Sequence, residues 1–325
     1  MSLSRRKLLK LGAGAGVGLL LDGAGAAARM SPELALRRSA LITKPIPSSG
    51  ERIPVIGLGS SQTFNLAPGN EAYVQAQTVV RLFRELGGSV IDSSPTYQRS
   101  EHFVGETIRQ FGIEKEIFVA TKVNVGSRGV EAATRQMEQS LQTYGKDPID
   151  LIQVWNLGGS IRFLSNATLP QHMEALRAFK EAGHVRYIGI TTSRDPQYTD
   201  VEAAMRDYTM DFVQLDYSIG DRIPEQRLLP LAREKSIAIL ANRPFTTGNL
   251  FGRVAGRALP DWASEFDCTS WAQFFLKFVV SHPAVTCAIP ATGDPGHLRD
   301  NMGAGTGRLP DERMRTRMIE LFATL

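Results

Sequence analysis

Short apolar runs that alternate with longer amphipathic segments constrain the fold of this chain more than any other feature. Each run has four or five residues and is bounded by charged residues or turn formers, which is typical of buried strands. The runs are Val55–Leu58, Val90–Ser93, Ile117–Thr121, Leu151–Trp155, Tyr187–Thr191, Phe212–Leu215, Ile237–Leu240 and Val285–Ile289.

The segments between the runs have helical periodicity. One predicted helix covers 129–142, and its apolar stripe consists of Val130, Ala133, Met137 and Leu141. A second predicted helix covers Leu169–Ala182, with Gly183 as the residue that ends it. Each predicted strand therefore has a helix beside it in the sequence.

Eight strand–helix units without a break in composition favour one α/β domain, a (β/α)8 TIM barrel with a closed parallel sheet. A doubly wound sheet is the alternative. The dinucleotide-binding glycine pattern of that fold is incomplete, because Gly57-Leu58-Gly59 lacks the third glycine and the acidic residue downstream. The barrel is predicted to cover residues 50–325.

The amino-terminal residues have the three parts of an export signal in order. Ser4-Arg5-Arg6 precedes an apolar run over Leu11–Leu21, and the small residues Ala24–Ala28 follow. We interpret residues 1–28 as a twin-arginine signal peptide, read by the twin-arginine export machinery, and expect a periplasmic protein. A chance Arg-Arg pair before an amphipathic helix is the alternative. The apolar run is short and rich in glycine for a membrane span, so no stable span is expected after cleavage.

Residues 29–49, rich in Ser, Pro and Arg, are predicted to be a mobile linker. The formal net charge of the whole chain is +4, and the basic excess belongs mostly to the signal, so it does not indicate nucleic-acid binding. Two cysteines are too few for a disulfide framework. The five histidines show no metal-ligand spacing, and no metal site is predicted.

In a parallel barrel, chemistry is located at the carboxyl ends of the strands and in the loops that follow them. Reading those positions in chain order gives twelve candidate residues: Asp92, Tyr97, Lys122, Trp155, Thr192, Gln214, Tyr217, Asn242, Arg243, Thr292, His297 and Asn301.

Three of these residues form a chemically meaningful set. A buried lysine ammonium such as that of Lys122 lowers the pKa of a neighbouring phenol, here Tyr97, and a carboxylate at Asp92 holds the lysine charged. The phenol can then donate a proton to a carbonyl oxygen that receives hydride. A core salt bridge beside a packed tyrosine is an equally good interpretation of the spacing alone.

The sequence also resembles the aldo-keto reductase family. The similarity covers most of residues 50–304 and is carried by Ile91-Asp92-Ser93-Ser94-Pro95-Thr96-Tyr97, Ser100-Glu101, Gly105, Ala120-Thr121-Lys122, Asp150 to Val154, Val185 to Ile190, Val213 to Tyr217, and Ile289-Pro290 through Asn301. The resemblance implies a (β/α)8 barrel and an NADPH-dependent oxidoreductase that interconverts small-molecule carbonyls and alcohols. It assigns Asp92, Tyr97 and Lys122 to catalysis, with Tyr97 as the proton donor.

The fourth catalytic residue implied by the family, a histidine, is replaced by Trp155. An indole has one N–H donor and does not titrate in a useful range. It is also bulkier than imidazole, so we expect it to fill the space where a carbonyl would bind. His102 is expected on a helix surface and His184 at the opposite face. A cofactor-binding protein without carbonyl reductase activity, acting as a sensor or partner subunit, is therefore an alternative, and a lyase or isomerase step is a weaker one.

The resemblance also implies a remodelled dinucleotide site. Ala291 replaces a family lysine that pairs with the ribose 2′-phosphate, and His297 is located where an arginine often occurs. Asn301 matches the position that contacts adenine, while Gln214 and Thr192 match positions that contact the nicotinamide carboxamide. Asn242 falls where an aromatic residue often stacks on the nicotinamide. The cofactor is expected to be NADP or NAD.

Overall fold

Eight parallel strands form the main sheet of the structure, a computed structural model that describes residues 41–157, 166–193 and 197–325. Two short strands precede it. The bounds are β1 Thr43–Pro45, β2 Arg52–Pro54, β3 Leu58–Gly59, β4 Val90–Asp92, β5 Phe118–Val123, β6 Ile149–Val154, β7 Val185–Thr191, β8 Phe212–Asp216, β9 Ala238–Asn242 and β10 Val285–Ala288. Strands β3 to β10 are neighbours in consecutive order. A doubly wound sheet would reverse its strand order, so that alternative is wrong.

The two ends of the curled sheet approach each other. The amide of Gly57 donates to the carbonyl of Ala288 at 2.8 Å, and the amide of Gly59 donates to the carbonyl of Pro290 at 3.0 Å. A Cβ atom on Gly59 would lie 2.8 Å from the carbonyl oxygen of Ile289, so a side chain would force the two segments apart. The regular part of the first strand has two residues, Leu58 and Gly59, and begins at the last residue of the predicted run.

Strands β1 and β2 pair as an antiparallel hairpin that covers the amino ends of the main sheet. Ile46 is fully buried and Ile53 is 2% exposed. The ammonium of Lys44 donates to the carbonyls of Val280 and Val285 at 2.7 Å and of His282 at 2.9 Å. The linker predicted over 29–49 is therefore wrong for residues 41–49, which are part of the folded domain. The remainder of that segment and the predicted signal peptide lie outside the described residues.

Helices flank the strands of the main sheet. Their bounds are α1 Glu71–Glu85, α2 Ser100–Phe111, α3 Val130–Tyr144, α4 Leu169–Glu181, α5 Tyr198–Asp207, α6 Leu228–Glu234, α7 Asn249–Arg253, α8 Trp271–Ser281, α9 Pro295–Gly303 and α10 Glu312–Thr324. The two predicted helices correspond to α3 and α4, and Gly183 follows α4 with a φ of +85°. In the described ranges no helix is both long and apolar enough to cross a membrane.

Alternate residues of each strand point into the curled sheet, and these inward side chains form two layers. Near the amino ends the layer is apolar, and Phe118, Tyr187 and Phe212 pack there with the hairpin. The carboxyl-end layer contains the buried polar side chains of Asp92, Lys122, Gln153 and Gln214. The sequence thus places an apolar base beneath a polar layer, and the candidate site is built on that layer.

Candidate active site

A cleft of about 850 Å³ opens at the carboxyl ends of the strands. Eleven of the twelve candidate residues line it: Asp92, Tyr97, Lys122, Trp155, Thr192, Gln214, Asn242, Arg243, Thr292, His297 and Asn301. The fold therefore brings together residues that are spread over more than two hundred positions of the sequence.

Lys122 and Asp92 form a buried ion pair at the base of the cleft. Register places Asp92 beside Ala120, so the carboxylate at the end of β4 and the ammonium from β5 meet. The Nζ–Oδ1 distance is 2.7 Å, and Nζ also donates to the carbonyl of Ser93 at 2.8 Å. Burial raises the pKa of Asp92, against the opposing charge of Lys122. Burial alone would lower the pKa of Lys122, but the charges and hydrogen bonds of Asp92 and Tyr97 outweigh it, and the pKa is raised.

Tyr97 lies against this pair. The Lys122 ammonium is 5.1 Å from the centroid of the phenol ring. The pKa of Tyr97 is raised, because burial outweighs the opposing charge of Lys122 and the hydrogen bond from Trp155. The sequence-based expectation of a lowered pKa is therefore wrong in direction. It weighed the charge of the lysine but not the desolvation of the phenol.

Trp155 follows β6 and is half-buried at the cleft. Its indole N–H donates a hydrogen bond to the Tyr97 hydroxyl, since the indole nitrogen can only donate. Neither His102 nor His184 replaces the missing histidine. His102 is exposed on α2, and the His184 ring lies 3.1 Å from the Asp147 carboxylate at the opposite face of the sheet.

An amide pair continues the polar layer across the interior. The Gln153 amide donates to Oε1 of Gln214 at 3.1 Å, and the Gln214 amide lies 3.5 Å from Oδ2 of Asp92. Because an ionised carboxylate only accepts, the Gln214 amide nitrogen must face Asp92. Gln214 is thus held with its donor toward the ion pair and its oxygen toward Gln153.

The ends of β7 to β9 form the next part of the cleft. Asn242 donates to the carbonyl of Thr192 at 3.3 Å, and its buried Oδ1 has no hydrogen-bond partner among the described residues. The Arg243 guanidinium spans two strand ends, at 3.1 Å from both the Ser193 carbonyl and Oδ2 of Asp216. Arg243 has a φ of +45°, in the left-handed region, which is uncommon outside glycine.

Tyr217 does not belong to the cleft, and its prediction as a cofactor-binding residue is wrong. The side chain is fully buried between the sheet and the helices. The guanidinium of Arg315 donates to its hydroxyl at 2.7 Å, and that hydroxyl donates to Glu225. Strand alternation gives the physical reason, because Gln214 and Asp216 point inward and residue 217 points outward.

The far end of the cleft is built after β10. Thr292 lines it together with His297, Asp300 and Asn301 of α9, and of these Asn301 is buried and His297 is exposed. Asp294 is the N-cap of α9, and its carboxylate accepts the amide of His297 at 2.8 Å. The hydrogen bond from that amide lowers the pKa of Asp294.

Comparison with known proteins decides the family. Residues 55–317 match the aldo/keto reductase family. The chain belongs to the aldo/keto reductase family. The matched residues include every candidate described above.

Curated aldo/keto reductases are among its relatives. The Schizosaccharomyces pombe aldo-keto reductase yakc, whose name carries NADP(+), is 29% identical over 218 residues, 62% of this chain and 61% of that protein. The match therefore spans less than two thirds of the length of yakc. Methylglyoxal reductase YeaE of Escherichia coli is 26% identical over 266 residues, 79% of this chain and 88% of that protein.

Solved structures share the fold. An aldo-keto reductase of Klebsiella pneumoniae in complex with NADPH has a TM-score of 0.70 and 24% identity, and the alignment covers 87% of this chain and 96% of that one. The holo form of an aldo-keto reductase from Bacillus halodurans has a TM-score of 0.69 and 20% identity, with the same coverage.

Sequence reasoning missed two loops of this aldo/keto reductase cleft. The loop after β3 contributes Ser61, Gln62 and Thr63, and the segment after β9 contributes Thr247 and Phe251. Their position after strand ends was an available signal. The sequence gives no sign of the positive φ of Gln62 and Thr247, because neither residue is a glycine or an asparagine.

Proposed function

We propose that this protein is a nicotinamide-dependent oxidoreductase that interconverts small-molecule carbonyls and alcohols at the cleft. The observation that carries the proposal is the Lys122 ammonium, held by Asp92 at 2.7 Å and located against the ring of Tyr97. We also infer that the sheet closes into a (β/α)8 barrel. The hydrogen bonds between residues 55–59 and 288–290 support that closure.

The residues of the cleft fit a nicotinamide cofactor. The buried Oδ1 of Asn242 lacks a donor among the described residues, and the Gln214 amide makes only a long contact with Asp92. A carboxamide offers both a donor and an acceptor to such groups. Thr192, Arg243, Thr292, His297 and Asn301 would hold the remainder of the dinucleotide, which in the relatives is NADP(+) or NADPH by name. When bound, the cofactor supplies or accepts hydride.

Tyr97 is the proton donor in this proposal. Its raised pKa keeps the phenol protonated at neutral pH, so the hydroxyl has a proton to give to a carbonyl oxygen. The phenolate that remains is stabilised by the charge of Lys122. Asp92 holds the ammonium charged and in place.

Trp155 acts on the same hydroxyl. Its N–H donates to the Tyr97 oxygen, which favours the phenolate and works in the same direction as Lys122. The indole also occupies volume beside the hydroxyl, so the substrates should be small or slender. We therefore expect bulky aldehydes and ketones to react slowly.

One observation favours the second candidate, a cofactor-binding protein without carbonyl reductase activity. The Tyr97 oxygen already has Trp155 and Lys122 as partners, and a carbonyl oxygen would have to approach the same hydroxyl. In that case the cleft would bind dinucleotide but not turn over aldehydes.

Aldehyde-dependent oxidation of NADH and NADPH separates the two candidates. A panel that runs from methylglyoxal to aromatic aldehydes should show turnover that falls with substrate bulk. Dinucleotide binding without turnover of any aldehyde would contradict the reductase proposal and support the second candidate. Absence of dinucleotide binding would contradict both.

We further propose that residues 1–28 direct export by the twin-arginine route and that the protein works in the periplasm. The order Arg5-Arg6, apolar run and small-residue site supports this. Whether the signal is cleaved or kept as an anchor can be read from the mass of the exported chain.

A further inference from the structure

Glu101 is a buried carboxyl group that does not line the cleft. It is the second residue of α2 and is 5% exposed. The hydroxyls of Thr121 and Ser140 donate to its Oε1 at 2.7 Å and 2.9 Å. Burial raises the pKa of Glu101, and these two hydrogen bonds oppose the rise. An apolar side chain would fill the same place at a lower cost in stability, which indicates a role beyond packing.

The Thr121 hydroxyl connects Glu101 with the strand that carries the buried ion pair. Thr121 directly precedes Lys122 in β5, and adjacent residues of a strand point to opposite faces of a sheet. Lys122 points into the cleft, so Thr121 points outward, where it meets the Glu101 side chain from α2. This segment of β5 is therefore held from both faces, by Asp92 on the inside and by Glu101 on the outside.

The backbone connects Glu101 with Tyr97. The amide of Ser100 donates to the carbonyl of Tyr97 at 3.1 Å, so the turn that carries Tyr97 continues directly into α2. Glu101 follows Tyr97 by four positions in the sequence. Its hydrogen bond with Thr121 thus joins the segment of Tyr97 to the segment of Lys122 behind the strand. Inside the cleft the same two segments meet again, with the Lys122 ammonium 5.1 Å from the centroid of the Tyr97 ring.

We propose that Glu101 is a positioning residue for the proton donor, and that its hydrogen bond with Thr121 fixes the distance between Tyr97 and Lys122. This inference rests on the proposed function. The attraction between a phenolate and an ammonium weakens with distance, and a misplacement of about 1 Å in a site can lower a rate by about a hundredfold. The Ser140 hydroxyl holds the same carboxyl oxygen from α3, which fixes the direction of the Glu101 side chain.

The Thr121 hydroxyl can be removed with little change of shape. Thr121→Val deletes the donor to Glu101, whereas Thr121→Ser keeps it. Thr286→Val is the matched control, because Thr286 is a buried strand threonine of β10 whose Oγ1 accepts the amide of Ile239 at 3.3 Å. Each purified variant is measured for aldehyde turnover, for dinucleotide affinity by titration, and for stability in denaturant.

The hydrogen bond and the charge of Glu101 predict different results. We expect Thr121→Val to lower kcat by about tenfold or more while dinucleotide affinity stays within about twofold, because only the proton donor is displaced. Thr121→Ser should restore kcat, and Thr286→Val should lose stability but keep kcat. Glu101→Gln keeps an oxygen that accepts both hydroxyls, so its kcat should stay within about threefold of the wild type. That variant decides between the two roles if Thr121→Val does not fold.

A measurement without turnover reports on the same distance. The NMR resonance of the Tyr97 Cζ carbon, in protein labelled at tyrosine, responds to the nearby ammonium and is assigned by its absence in Tyr97→Phe. We expect this resonance to move in Thr121→Val and to keep its position in Thr121→Ser and Thr286→Val.

The outcomes separate the inference from the proposed function. A Tyr97 resonance that does not move in Thr121→Val would overturn the inference and leave the proposed function intact. Equal losses of kcat in Thr121→Val and Thr286→Val would also overturn it, because lost stability would then be the cause. A large loss of kcat in Glu101→Gln would do the same, since the charge would then matter more than the hydrogen bond. If the wild type turns over no aldehyde, the proposed function fails, and the Tyr97 resonance alone decides whether Glu101 positions Tyr97.

Discussion

The indole N–H of Trp155 donates a hydrogen bond to the hydroxyl of Tyr97. The Lys122 ammonium approaches the same tyrosine at 5.1 Å from the ring centroid, so two donors converge on one phenol. Both favour the phenolate, while burial favours the neutral phenol. The balance of these effects decides how readily Tyr97 gives up its proton.

Replacing Tyr97 by Phe tests the proton donor. The ring stays packed while the hydroxyl is lost, so we expect aldehyde turnover to fall by about a hundredfold or more. Cofactor affinity, measured by titration, should barely change, because in this proposal the hydroxyl faces the substrate. Turnover equal to that of the wild type would show that Tyr97 and Lys122 form a structural pair.

Replacing Trp155 by His tests the effect of the indole. The smaller ring opens space beside Tyr97 and keeps an N–H donor, so turnover of bulky aldehydes should rise, by about tenfold if the donor is well aimed. Trp155→Phe is the matched control, because it keeps much of the bulk and removes the N–H. A wild type that reduces bulky aldehydes briskly, and is slowed by Trp155→His, would contradict the expected obstruction and make Trp155 a working part of the site.

Lys122→Met tests the buried ion pair. Removing the ammonium leaves the Asp92 carboxylate buried without its counter-charge, so we expect the free energy of unfolding to fall by about 3–5 kcal/mol in denaturant titrations. The exposed pair of Arg135 and Glu131 gives the comparison, and Arg135→Met should cost less than about 1 kcal/mol. If the double variant Lys122→Met with Asp92→Asn is no more stable than Lys122→Met, the unpaired Asp92 charge is not the cause of the lost stability.

Two histidines, the buried His172 and the half-buried His282, predict loss of stability in acid. Burial lowers the pKa of His172, and burial with the charges of Arg315 and Lys44 lowers the pKa of His282 to about 4. In the unfolded chain each histidine binds a proton below about pH 6.5, whereas in the folded chain the two histidines stay neutral until a lower pH. The free energy of unfolding should therefore fall as the pH is lowered below about 6.5, and the part due to His282 should continue to fall until about pH 4. One fully shifted histidine contributes at most about 1.4 kcal/mol per pH unit.

The His172→Gln variant separates this effect from general acid sensitivity. In the wild type, Nε2 of His172 accepts the amide of Val125 at 3.2 Å and Nδ1 lies 2.8 Å from the carbonyl of Thr168. The variant should be less stable at pH 7 but show a flatter dependence on pH. The exposed His102→Gln is its control. An unchanged slope in His172→Gln would contradict the assignment.

Changing both Arg5 and Arg6 to Lys tests export. Twin-arginine recognition needs the arginine pair, so the unprocessed protein should accumulate in the cytoplasm, measured by fractionation and mass. The matched control changes Arg37 and Arg38, downstream of the predicted cleavage site, to Lys; it keeps the charge and should leave export intact. Normal periplasmic delivery of the Arg5/Arg6 variant would exclude the signal.

The sequence predicted the alternating architecture and most of the cleft because both depend on local patterns. Apolar runs locate the strands, and residues near strand ends or in the segments that follow them line the cleft in a parallel fold, as Lys122 in β5 and Thr292 after β10 do. Three features depend on distant contacts and were not accessible. The linker assignment failed at Ile46, which is buried by strands far along the chain. Tyr217 was assigned to the cleft, but it directly follows the inward-pointing Asp216, so its side chain points to the outer face of the sheet and is buried there. The direction of the Tyr97 pKa shift depends on how deeply the phenol is buried.

The hairpin of β1 and β2 has a consequence for the order in which the molecule can assemble. Lys44 binds carbonyls at residues 280, 282 and 285, and the amide of Ile42 donates to the carbonyl of Gly305 at 2.7 Å. A ribosome-bound chain cannot make these contacts until nearly all of its residues have emerged. The amino-terminal residues must therefore wait for the last part of the chain to be synthesised, and completion of the fold follows translation. Such timing suits a transport system that accepts folded proteins, since the amino-end side of the sheet is covered only after residue 305 has been synthesised.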